Sequence, residues 1–384
     1  MAMSLLQGQC PVQCQLCEGD PKVKWKCLDC DLLMCSKCKD KVHSKFKSEK
    51  DHRIVDIKEV GKKGMDVHQQ DKKVDPIDNK KMSIFGQRKS GVSSSETDVK
   101  LTNTKQYQIK MSTINFLAVS LDGSLWIGDG DEEEGFHLFK SYTALQNVKL
   151  VGDKMKVISS FNMRVYDIAV TPSNDILLVT GELGLKQIKA GSNKVTYSTY
   201  CEEITNLKRV HVTKDGRVIV GGYAWVDVID TDGSHLTRYI RDKNNRPIFE
   251  RNIWSITSTL NGNIFVVQIC PNPRVVVLGN GDVINKYTGH PLINCDITFD
   301  PETVITTPMD NVIVADNGSN TLHILDNNGH LLTTYKTSEI GIYNPRSLAI
   351  TMEGNFAVLY IGCDMSNEES SDTGKLYKMN IIGC

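Results

Sequence analysis

At 384 residues the chain exceeds what one hydrophobic core of ordinary size organises, so roughly two or three domains are expected. The formal net charge of -1 hides an asymmetry: residues 1–106 hold 21 Lys+Arg against 15 Asp+Glu, whereas residues 107–384 hold 24 against 31, which disfavours phosphate-backbone binding by the longer part. Met1–Leu6 lacks the charged start and apolar run of a signal peptide, and no stretch approaches the ~18 consecutive apolar residues of a membrane helix, so a cytoplasmic protein with no membrane partner is expected.

Seven of the 12 cysteines lie between Cys10 and Cys38, and the rest are scattered singly. In a reducing compartment, clustered Cys and His bind metal more often than they form disulfides. Over residues 10–57 the ligand types fall as Cys14-x2-Cys17-x9-Cys27-x2-Cys30-x4-Cys35-x2-Cys38-x4-His43-x8-His52. A two-residue gap lets both members of a pair point into one tetrahedral site, and a structural zinc needs two such pairs. Eight ligands therefore predict two zinc ions. Sequential pairing would make two separate knots, whereas interleaving staples a segment with few apolar residues of its own. Interleaving is the better reading, because about 10–16 kcal/mol per structural zinc then supplies most of the folding free energy. Every coordination position is filled by protein, so the zinc is expected to be structural. Cys10 and His68 stand outside the pattern, and a metal-free or disulfide-bonded segment is the alternative.

With its late His43-x8-His52 pair and a Cys as second ligand, this segment resembles the B-box of the tripartite-motif family, type 1 more than type 2. The tail His52-Arg53-Ile54-Val55-Asp56-Ile57 is similar to the apolar closure after the last B-box ligand. The resemblance implies the interleaved set: Cys14, Cys17, Cys35 and Cys38 on one ion, and Cys27, Cys30, His43 and His52 on the other.

Residues 58–103 are rich in Lys, Asp, Gln and Ser, with sparse apolar residues in no heptad, and read as a flexible polar tether. Lys62-Lys63, Lys72-Lys73 and Lys80-Lys81 read as solvated pairs. The family resembled places a long coiled coil here, and none is visible.

From residue 104 to 384 an internal repeat takes over. Anchored on a hydroxyl residue, six copies start at Ser120, Thr171, Thr213, Thr259, Thr307 and Thr351, as in Thr213-Lys-Asp215-Gly216-x-Val-Ile-Val. Each is an apolar strand, a tight turn on Gly, Asn or Asp, and a second apolar strand; several continue into a second hairpin. Four strands per ~45 residues predict an all-β fold, a six-bladed propeller. Tyr107–Met111 is expected to supply the outer strand of the last blade. The copies resemble the NHL-type propeller, carried best by Asn344-Pro345-Arg346-Ser347-Leu348-Ala349-Ile350. The position five residues before each anchor is expected at the mouth of the central channel: Asn115, Tyr166, Lys208, Trp254, Glu302 and Arg346. In similar propellers that mouth binds partners; the alternative is that these residues cap their strands.

The resemblance implies an adaptor that captures protein partners through the propeller face and works with ubiquitin-ligase components, with a role in innate immune regulation. Only Met1–Gln13 precede the B-box, where the family carries a RING domain, so no independent enzymatic activity is expected. An RNA-binding regulator and a propeller hydrolase are the alternatives. The acidic body weighs against the first, and the second wants convergent carboxylates of which Glu302 alone qualifies among the mouth positions. No small-molecule substrate is expected.

Overall fold

The computed structural model describes residues 23–27, 33–41, 54–56, 99–111, 113–129, 144–200, 204–364 and 374–383. The chain divides into two units, Met1–Ser95 and Glu96–Cys384. Among the described residues no helix is long and apolar enough to cross a membrane.

In the first unit, β1 (Trp25–Cys27) is flanked by β2 (Leu33–Met34) and β3 (Ile54–Asp56) in an antiparallel sheet. The short helix α1 (Ser36–Lys41) follows β2 after one residue. Of the apolar side chains described here, Met34 and Cys35 are buried. The tether expected over residues 58–103 lies almost wholly outside the described residues.

The second unit is a ring of six four-stranded antiparallel sheets. Its innermost strands, Phe116–Val119, Asp167–Val170, Arg209–Val212, Ile253–Ser258, Pro301–Thr306 and Pro345–Glu353, each contact the next, and the last returns to the first. In the first five blades the second strands, such as Ile176–Val179 and Val312–Asp316, are buried along their whole length because they are covered on both faces; in the sixth, Phe356–Cys363, the first residue is exposed and the second half-buried. Six apolar clusters lie at the six blade interfaces; one joins Leu177 and Val179 to Val210 and Val218 in the next blade.

Five of the repeat anchors open the turns between first and second strands, whereas Thr351 lies within the longer strand Pro345–Glu353 and pairs with Val358. Three residues after each anchor the backbone is left-handed, at Gly123, Asn174, Gly216, Gly262, Asp310 and Gly354, with φ from 61° to 88°. That requirement is why these positions hold Gly, Asn or Asp.

The sixth blade is completed by β4 (Lys100–Ile109), which pairs with Gly374–Ile382 and so ties the start of this unit to its end. It is longer than the segment 107–111 read from the sequence and begins inside the expected tether. The reason is visible in its exposure: of its first six residues five are exposed and Leu101 is half-buried, and only Tyr107 and Ile109 alternate into the core.

Candidate functional site

Of the eight zinc ligands expected, Cys35 has a described side chain. It is 1% exposed and sits between β2 and α1, its carbonyl accepting the Lys39 N–H at 3.0 Å. Cys27 ends β1 and Cys38 lies in α1, placed by their backbones. Cys14, Cys17, Cys30, His43 and His52 lie outside the described residues, as do Cys10 and His68. A buried cysteine in a segment rich in Cys and His fits a metal-stapled module.

In the ring, the innermost strands line a central channel of about 1020 Å3. The six mouth positions gather at one end of it. In blades one to three, Asn115, Tyr166 and Lys208 keep the regular ladder, their N–H groups donating to Gly128, Val179 and Gly221 at 2.9, 2.7 and 2.8 Å. Blades four to six depart from it. Their registers skip one residue each, between Ile253 and Ser255, between Pro301 and Thr303, and between Pro345 and Ser347. The extra residues are Trp254, Glu302 and Arg346. A bulge re-aims the side chain it carries, and here three equivalent bulges make three side chains converge. Trp254 Nε1 donates to Glu302 Oε2 at 2.6 Å, and Arg346 Nε lies 3.8 Å from the same oxygen. Arg346 also donates from Nη1 to Asp364 at 2.7 Å.

Arg209, next to the expected mouth position Lys208, crosses the mouth. It donates to the carbonyls of Trp254, of Tyr166 (2.9 Å) and of Lys208 (2.7 Å), and its guanidinium stacks 4.5 Å from the Trp254 ring. The signal for it lay one residue further along each repeat. Four before the anchors stand Phe116, Asp167, Arg209, Ser255, Thr303 and Ser347, and five of these six are polar on what must be an inner strand. Asp167, on the channel wall, accepts from the N–H of Val210 and Ile168 at 2.9 Å each; burial raises its pKa to about 6 against the opposing pull of Arg209. Burial likewise raises Glu302, with Arg346 opposing. Deeper in, His211 Nε2 lies 2.9 Å from Ser258 Oγ, and burial lowers the imidazole to about 4, so it is neutral near pH 7.

Residues 14–54 match a family model described as an ANCHR-like B-box zinc-binding domain. The match stops well short of half the chain, so a tripartite-motif or NHL-type identity has the sequence resemblance alone behind it. No curated protein matches the chain. Among solved structures the ring is similar to a streptogramin B lyase, at 13% identity over 75% of this chain and 100% of that one, with a TM-score of 0.46. It is also similar to virginiamycin B lyase from Staphylococcus aureus, at 11% identity over 73% and 100%, TM-score 0.43. The PQQ-bound aldose sugar dehydrogenase of Streptomyces coelicolor is a third, at 12% identity over 74% and 98%, TM-score 0.49.

At these identities the likeness extends to the fold alone. It nonetheless overturns the expectation that the chain has no enzymatic activity of its own: rings of this architecture include a lyase and a dehydrogenase, so the architecture is no ground for excluding catalysis. Beyond the mouth positions, among which Glu302 alone is a carboxylate, Asp167 and His211 also line the channel.

Proposed function

We propose that this protein is a zinc-dependent adaptor whose B-box head holds two structural ions and whose propeller captures a protein partner at the channel mouth. The observation that carries this reading is the union, in one chain, of a B-box zinc-binding segment at residues 14–54 with a closed ring bearing convergent side chains at one mouth.

Strand register supports the interleaved ligand set. Trp25 pairs with Met34, which puts Cys35 level with Lys24, three ladder positions from Cys27. At about 3.3 Å per residue that is roughly 10 Å, too far for Cys27 and Cys35 to share one ion with Zn–S bonds of about 2.3 Å. Both pairings satisfy that separation, so the partner of Cys27 on its other side decides between them. Cys27 pairs with Ile54, which follows His52 by two residues in the chain. Cys27 and His52 then serve one ion and Cys35 the other.

At the mouth, Trp254 and Arg346 are the residue types that dominate binding energies at protein interfaces. The test is affinity capture with the full-length chain, comparing wild type with the Trp254→Ala plus Arg346→Ala double variant. Loss of the captured proteins from a variant that still melts at the wild-type temperature is the expected result; identical recovery by both baits would remove the mouth as the binding face.

A further inference from the structure

Beside the bulge cluster the mouth narrows into a slot of about 40 Å3, lined by Asn115, Tyr166, Lys208, Tyr223, Arg209 and Trp254 among others.

Its polar groups differ in how far they are satisfied. Arg346 is engaged by Asp364 and Glu302, and Arg209 by three carbonyls. Lys208 has neither kind of partner. Its ammonium stands 4.4 Å from the Tyr166 ring and 5.0 Å from the Tyr223 ring, and no described carboxylate lies within 4.0 Å of it. The two rings hold the cation at the slot without neutralising it. The slot therefore lacks an anion, and Tyr223, 46% exposed at its edge, offers a flat apolar surface beside the cation.

A peptide with an acidic side chain supplies it. We propose that the slot receives an Asp or Glu side chain from an extended acidic segment of a partner protein, with the carboxylate on Lys208 and the neighbouring part of the segment against the exposed Tyr223 ring. This rests on the reading of the mouth as the partner surface and specifies the partner's chemistry. A charge-assisted hydrogen bond to a pre-positioned ammonium is stronger than a neutral one and loses little side-chain freedom on forming.

Fluorescein-labelled hexaglutamate, titrated with the full-length protein and read by anisotropy, tests it, with hexaglutamine and hexauridylate carrying the same label as comparisons. Wild type should bind hexaglutamate at least about tenfold more tightly than hexaglutamine. Lys208→Glu should lose at least about tenfold, and Lys208→Arg should bind as wild type does. Lys208→Met, which keeps the stem between the tyrosines, stands in if Lys208→Glu lowers the melting temperature. Absence of hexaglutamate binding by wild type, equal binding by the Lys208 variants, or hexauridylate binding with the same dependence on Lys208 would overturn the proposal. Partner capture separates its failure from that of the underlying reading. Proteins lost with Trp254→Ala but kept by Lys208→Glu overturn the acidic segment and leave the mouth standing, and proteins kept by both variants overturn both.

Discussion

Two aspartates of the ring are handled in opposite ways, and the difference has measurable consequences. Burial alone would raise the pKa of Asp316, but hydrogen bonds from His323 (3.3 Å), Ser319 (2.5 Å), Asn294 (2.8 Å) and the Asp300 N–H (2.9 Å) outweigh it and hold the carboxyl below its usual range. His323 closes the network through Nδ1 to the Tyr287 hydroxyl at 2.7 Å, and both His323 and Asp316 are fully buried. Asp316→Leu leaves those donors stranded and is expected to cost on the order of 3 kcal/mol, read as a lower denaturation midpoint at unchanged m. Asp167 lacks such compensation, and its pKa rises to about 6. Its folded form binds more protons than the unfolded chain between about pH 4 and 6, so its contribution to stability falls as pH rises through that window. His211, lowered to about 4, binds fewer protons when folded, and its contribution rises between about pH 4 and 6.5. The two oppose each other in wild type. Asp167→Asn should therefore gain stability as pH rises from 4 to 6, and His211→Asn should lose it; denaturation midpoints across that range with unchanged slopes in both variants would refute the assignment.

Ring closure depends on β4, whose inward residues are few. Tyr107 is buried, and its hydroxyl donates to the Gly152 carbonyl in the first blade at 3.1 Å, so one residue joins the closing strand to its neighbour. Tyr107→Ala should cost about 3–5 kcal/mol, visible as a lowered thermal midpoint of the ring. Lys105→Ala, which removes the solvent-exposed pair with Asp153 (3.0 Å), should leave that midpoint essentially unchanged. The same contrast explains what the sequence made legible. The six turns could be read because a left-handed residue restricts its position to Gly, Asn or Asp, a local requirement written into the chain. The polar first half of β4 could not, because its pairing with Gly374–Ile382 comes from the far end of the chain and leaves no apolar alternation. The bulges at Trp254, Glu302 and Arg346 were hidden for a related reason. Counting back from the anchors located these residues, but an extra residue in a strand is defined against its partner, and so the convergence of the three side chains had no signature in spacing.

At the scale of the molecule the two units draw on different sources of stability, and that separates their responses to metal. Six apolar interfaces and a closing strand hold the ring together, whereas the described part of the head buries Met34 and Cys35. Chelation should therefore unfold the head, where the metal's binding free energy is folding free energy, and leave the ring's melting temperature unchanged. Elemental analysis of the purified protein is expected to find two zinc ions per chain. Which ligands share an ion is decided by a double variant. Under the interleaved set Cys35 and His52 serve different ions, so Cys35→Ser with His52→Ala damages both sites and the zinc content should fall toward zero. Sequential pairing puts these two residues on the same ion, and the double variant would then keep one zinc, bound by Cys14, Cys17, Cys27 and Cys30. Cys27→Ser with His52→Ala gives the reverse pattern, retaining one ion if the sites interleave and losing both if they do not. The pair of measurements distinguishes the two topologies whichever way each variant affects overall stability, because it reads the order of the outcomes and not their size.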